Sequence, residues 1–224
     1  MFKDCLKRSL LCLMATTAIY VQGYNLDGFY ARVGLGYSWA HHPKATCSGA
    51  TRSNAVPAQA LKISGSMPWI GALGYQFSEH WRSEVALNYR SRVNYRFKND
   101  SGEDAKGRLQ SLNTMLNIFY DFSVIGNMVP YAGAGVGCAW NKTKKAYWRT
   151  FAEGEHRTLT LTWMATVGMR EEISKGVWVD GAYRYTNIGR FRNSGNFDNG
   201  SYGASTRFKR LNAHEVMLSL IFDL

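Results

Sequence analysis

Past its first two dozen residues the chain has no apolar run of the ~20 residues that a membrane-crossing helix needs, and its mean hydropathy is −0.28. Cysteine is scarce as well. Of four in 224 residues, Cys5 and Cys12 fall in the N-terminal segment, leaving Cys47 and Cys138. That pair could form one disulfide in an oxidising compartment. Cys47, however, sits in a polar stretch and Cys138 on the apolar side of an alternating one, so two separate thiols are expected. Neither Cys-x-x-Cys nor another zinc-type spacing occurs, and Gly-x-Ser-x-Gly, Walker and Rossmann patterns are absent too. The five histidines are His41, His42, His80, His156 and His214. His156, beside Glu155 and Thr158, comes nearest to a triad and lacks its serine. No metal, cofactor or catalytic residue is therefore expected. Acidic side chains are the last shortage, 16 against 27 basic ones for a formal net charge of +11.

The N-terminus supplies a different signal. Lys3, Lys7 and Arg8 precede a mostly apolar stretch from Ser9 to Val21, and Val21 and Gly23 suit the −3 and −1 positions of a cut before Tyr24. Residues 1–23 thus read as a secretory signal peptide, with 24–224 as a single domain of about 200 residues. About nine of the excess positive charges stay with that domain. Such an excess favours an anionic partner.

Period-two alternation, the mark of a strand with one apolar side, recurs in eight segments. They run about Gly28 to Trp39, Trp69 to Phe77, Trp81 to Phe97, Leu109 to Phe122, Val129 to Trp140, Thr158 to Glu171, Val177 to Tyr185 and Glu215 to Leu224. In the last, Val216, Leu218, Leu220, Phe222 and Leu224 share a face. Connections after the second, fourth and sixth segments are short, while those after the first, third, fifth and seventh are longer and polar. Trp39, Trp69, Phe97 and Trp140 lie beside the long connections, and Phe77, Trp81, Phe122 and Phe222 beside the short ones or the terminus. Two aromatic bands with loops of unequal length at the two ends describe an eight-stranded antiparallel up-and-down transmembrane β-barrel. The stretch from His41 to Met67 could hold one further hairpin.

GFYARVGLGY, PWIGALGYQF, VPYAGAGVGCAW and EVMLSLIFDL resemble the small outer-membrane barrels related to OmpA, OmpX and the opacity-type surface antigens. The resemblance covers roughly Leu26 to Leu224 and implies a bacterial outer-membrane location. Members of that family usually end in an aromatic residue, whereas this chain ends in Leu224 with Phe222 nearby.

Eight strands leave an interior just wide enough for side chains to fill. The polar faces would gather Arg32, Arg82, Glu84, Arg90, Arg92, Asp121, Arg170, Asp180, Arg184 and Glu215 there. Buried charges must be paired, so a structural plug is the first reading. Glycines 34, 36, 74, 133, 135, 137 and 168 leave open a second one, a narrow porin-like channel for small solutes. The long connections carry Lys142, Lys144, Lys145, Arg149, Arg190, Arg192, Arg207, Lys209 and Arg210. Those residues suit lipopolysaccharide phosphates, host sulfated polysaccharide or host surface proteins. Nucleic acid is not an expected partner of an exported chain. The expected role is envelope integrity, adhesion to anionic surfaces, or both.

Overall fold

The computed structural model describes residues 28–41, 45–48, 62–98, 104–148, 151–152, 156–192 and 205–224; the expected signal, 1–23, lies outside them. Alternating sequence becomes strand throughout. The elements are β1 (Phe29–His41), β2 (Ala45–Ser48), β3 (Lys62–Ile63), β4 (Pro68–Gln76), β5 (Trp81–Lys98), β6 (Asp104–Asp121), β7 (Met128–Trp148), β8 (Phe151–Ala152), β9 (His156–Ser174), β10 (Val177–Arg192) and β11 (Ser205–Asp223). The eight long strands β1, β4, β5, β6, β7, β9, β10 and β11 pair antiparallel in that order. β11 then returns to β1, from Tyr30 opposite Asp223 to His41 opposite Asn212, and the barrel closes without a free edge. β2 and β3 pair with β11 and β5 rather than with each other, so these two short segments add no stave to the wall.

Short connections at 77–80, 122–127 and 175–176 lie at one end. The β9–β10 turn is closed by Gly176 at φ 72, a left-handed conformation that a side chain would strain. At the other end the strands run well past the expected limits. Lys142, Lys144 and Lys145 belong to β7, Arg190 and Arg192 to β10, and Arg207, Lys209 and Arg210 to β11. Their expected position in irregular loops is thereby corrected. Arg149 lies outside the described residues.

One phase change also departs from the simple alternation. The β5–β6 register shifts between Arg90 and Val93, a β-bulge. An extra residue turns every later side chain to the other face. Val93, expected on the outer row, is buried, and Asn94, expected on the inner row, is exposed. Arg92 falls within the bulge, and its side chain lies outside the described residues.

Elsewhere the two rows separate cleanly, with charge inside and hydrocarbon outside. Leu161 is 73% exposed and Leu116 60%, whereas Arg82, Asp180 and Glu215 are each 0% exposed. On β9 the outward row runs from Leu159 to Met169. Ten steps of ~3.4 Å, tilted by ~40°, span about 26 Å along the barrel axis, close to the apolar band of a spanning barrel. Exposed rings frame this band. Trp81 meets Tyr120 edge-on at 5.0 Å, and Tyr120 meets Phe122 at 5.1 Å, at the short-turn end. Trp39, stacked on His214 at 5.8 Å, stands toward the other end. Cys138, on the outward row of β7, is a free thiol.

Candidate functional site

The lumen is filled in strata. Nearest the short turns lies an ionic cluster built by six strands. Arg32 from β1 reaches Glu84 of β5 and, at 3.5 Å, Asp180 of β10. Arg82 donates through Nε to both Asp121 oxygens, at 3.1 and 3.2 Å, and Arg170 of β9 donates to the same carboxylate at 2.8 Å. Asn117 and Tyr131 add bonds of 2.8 Å to Glu84 and 2.6 Å to Asp180. The Arg82 guanidinium also lies over the rings of Phe119 (4.4 Å) and Tyr131 (4.6 Å). A cation against two ring faces is attracted by their quadrupoles, which partly replaces lost hydration.

A middle stratum is apolar. Ala72 stands opposite Ala86, Ala86 opposite Met115, and Ala182 opposite Met217. Together with Ile70 and Met164 these form part of one buried cluster. Beyond it the lumen turns polar again. Arg90 donates to Glu215 at 2.6 and 2.9 Å, and Arg184 donates to Asn88 at 2.9 Å. Val93, Leu109, Ile188 and Leu211, all buried, top this layer. Two register shifts in β10 bracket Gly189 here. Asn141 Nδ2 donates to the Ile188 carbonyl at 3.0 Å, tying the irregular segment across the mouth.

The inward glycines are occupied slots. A Cβ on Gly168 would stand 2.6 Å from Cζ of Tyr131, one on Gly36 2.5 Å from Met217 Sδ, and one on Gly74 inside the Tyr30 ring. Gly133, Gly135 and Gly34 likewise accommodate Phe119, Asn117 and Ser219. Each glycine makes room for a side chain of the next strand, a large ring or thioether at Gly74, Gly133, Gly168 and Gly36.

Nine of the ten expected lumen charges are buried in these strata, Arg92 being the one outside description. Tyr30, Asn88, Asn117, Phe119 and Tyr131 belong with them and were not singled out. Their signal was available, since each shares the period-two row of an inward charge on its own strand or faces one across a pair. Among the described residues no group of three His, Cys, Asp or Glu could hold a metal. His80 is exposed in a short turn, and His214 accepts or donates a 2.5 Å bond with Tyr183 in the outer aromatic row.

At the long-connection end the pairing register sets basic residues against each other. Arg108 stands opposite Lys144, Lys142 opposite Arg157, and Arg192 opposite Arg207. Arg108, Arg157 and Arg190 are exposed. Arg108 was hidden from sequence reading because its own connection also holds acids.

The comparisons agree with this architecture. A family profile described as "Outer membrane protein beta-barrel domain" matches residues 9–209. Outer membrane protein PagN of Salmonella typhimurium is 25% identical over 158 residues, 61% of this chain and 65% of that one. The chain thus matches slightly under two thirds of that relative's length. Two solved barrels share the fold: outer membrane protein OprG from Pseudomonas aeruginosa, with TM-score 0.57, 14% identity and coverage of 88% of this chain and 97% of that one, and AlkL, with TM-score 0.51, 13% identity and coverage of 88% and 91%.

Proposed function

Since the chain belongs to the outer membrane protein beta-barrel domain family, we propose that it is a closed-lumen surface barrel of the bacterial outer membrane whose basic external strand ends hold anionic saccharide. The ligands are sulfated or phosphorylated polymers, including the phosphates of lipopolysaccharide. The role is adhesion to anionic surfaces and cohesion of the envelope. One observation carries this reading: basic residues stand opposite one another across the strands, among them Arg108 with Lys144, Arg96 with Lys106, Lys142 with Arg157 and Arg192 with Arg207. Like charges directly opposite each other destabilise a ladder. A polyanion laid across them converts that cost into charge-assisted hydrogen bonds. The filled lumen supports a surface role over transport.

Retention on immobilised heparin and on lipopolysaccharide tests the reading. Replacing Arg108, Arg157, Arg192 and Arg207 by glutamine should weaken retention about tenfold or more, taking ~0.5 kcal/mol per charge removed. The heat-modifiable migration of the folded barrel should be unchanged. Undiminished retention on both supports would overturn the proposal.

A further inference from the structure

The lumen beyond the methionine stratum leaves a charge and several donors unanswered by the protein. Arg90 and Arg184 are both buried at this level, and Glu215 is its one buried carboxylate among the described residues. Glu215 Oε1 accepts both bonds from Arg90, at 2.6 and 2.9 Å, and Oε2 accepts one from Thr186 at 3.1 Å. Arg184 stands opposite Glu215 on the neighbouring strand, yet it donates to Asn88 Oδ1, at 2.9 Å. Over the whole lumen, five buried arginines face four buried carboxylates among the described residues.

Four buried nitrogens of this layer have no hydrogen-bond partner: Arg90 Nη1, Arg184 Nε, Asn88 Nδ2 and Asn113 Nδ2. All four are donors. Turning the Asn88 amide would not answer its nitrogen, because Asn88 Oδ1 already accepts from Arg184. Asn113 is set aside, because the single Ser111 proton can go to Asn141 Oδ1 at 2.7 Å and a turned Asn113 amide then donates to Ser111 Oγ; three donors remain. Buried polar groups are normally satisfied, so a set of orphans of one kind requires an explanation. Water accepts hydrogen bonds, but it also brings two donors into a layer already rich in them, and it brings no charge. An anion supplies acceptors alone and cancels the excess.

We infer that this layer binds one small monovalent inorganic anion of chloride size, held by Arg184 and Arg90 with the amide of Asn88. The apolar stratum of Met115, Met164 and Met217 on one side and the cap of Val93, Leu109, Ile188 and Leu211 on the other exclude a larger or polymeric ligand. The site is thus separate from the external strand ends and does not depend on their role. Its effect is to fasten β10 to β5 through Arg184 and Asn88 at the centre of the wall.

Because the layer is buried between these two apolar strata, the anion has to be offered during folding. The full-length barrel is therefore refolded from urea into micelles and crystallised in sodium bromide. An anomalous peak within hydrogen-bond reach of Arg184 Nε and Arg90 Nη1 is expected; density there without anomalous signal, meaning water alone, overturns the inference. In parallel, the urea midpoint should be higher in sodium chloride than in sodium gluconate at equal ionic strength. Equal midpoints overturn it as well. Arg184→Met should lose both the peak and the chloride dependence. Should that variant fail to fold, Asn88→Asp decides, since it builds the missing carboxylate into the wall and should expel the halide. A bromide peak of full height in Asn88→Asp counts against the site.

Discussion

Asp121 compensates two arginines, Arg82 at 3.1 Å and Arg170 at 2.8 Å. Replacing it by asparagine keeps the shape and removes the charge, leaving both cations buried without a counter-ion. Breaking a buried pair from one side costs about 3–5 kcal/mol. Asp121→Asn should therefore lower the unfolding free energy by about that amount in urea titrations from lipid vesicles, with Arg82 held in part by its two rings. A paired glycine test concerns volume instead of charge. Gly74 and Gly71 lie on the same strand, Gly74 against the Tyr30 ring and Gly71 with nothing within 4 Å. Gly74→Val should cost about 1–3 kcal/mol by overpacking, while Gly71→Val, facing outward, should change stability by less than about 0.5 kcal/mol. Equal effects at the two positions would contradict the slot assignment. At this scale the sequence was readable only row by row. That Glu215 belongs to the inner row follows from its opposite phase to Val216, Leu218 and Leu220. That it meets Arg90, 125 residues away, follows from barrel closure, which no local pattern encodes.

At the level of the strand, legibility follows the solvent. Where one face meets hydrocarbon and the other the lumen, alternation is enforced, and Leu159 to Met169 or Val216 to Leu224 can be recognised directly. Past the external aromatic row both faces meet water and any polar residue will serve. Lys142, Lys144, Lys145, Arg207, Lys209 and Arg210 therefore read as loop although the ladder continues through them. The bulge at Arg90–Val93 was invisible for another reason: one added residue leaves composition unchanged and shifts only the phase. Single-cysteine labelling distinguishes the two phases, made in a Cys47→Ser, Cys138→Ser background to remove both native cysteines of the domain. Asn94→Cys should react readily with a soluble maleimide on intact vesicles, and Val93→Cys should be protected. An uninterrupted alternation would invert that order.

For the molecule as a whole the deciding question is whether anything passes through it. A conducting lumen needs one continuous wet path from end to end. Here each route meets the ionic cluster, then Met115, Met164 and Met217 with their alanine neighbours, then the cap of Val93, Leu109, Ile188 and Leu211. The glycines that could have widened the bore are filled by Tyr30, Phe119, Tyr131 and Met217. Opening it would mean moving several packed rings at once and separating the Arg90–Glu215 and Arg82–Asp121 pairs. Those pairs cost several kcal/mol each to break one-sidedly. Purified barrel reconstituted in planar bilayers should consequently give no steady single-channel steps, before or after heparin is added to the external side. Steps that persist at high purity and vanish with heparin would reverse the assignment. They would make the basic strand ends the vestibule of an anion pathway, with the strata describing its closed state.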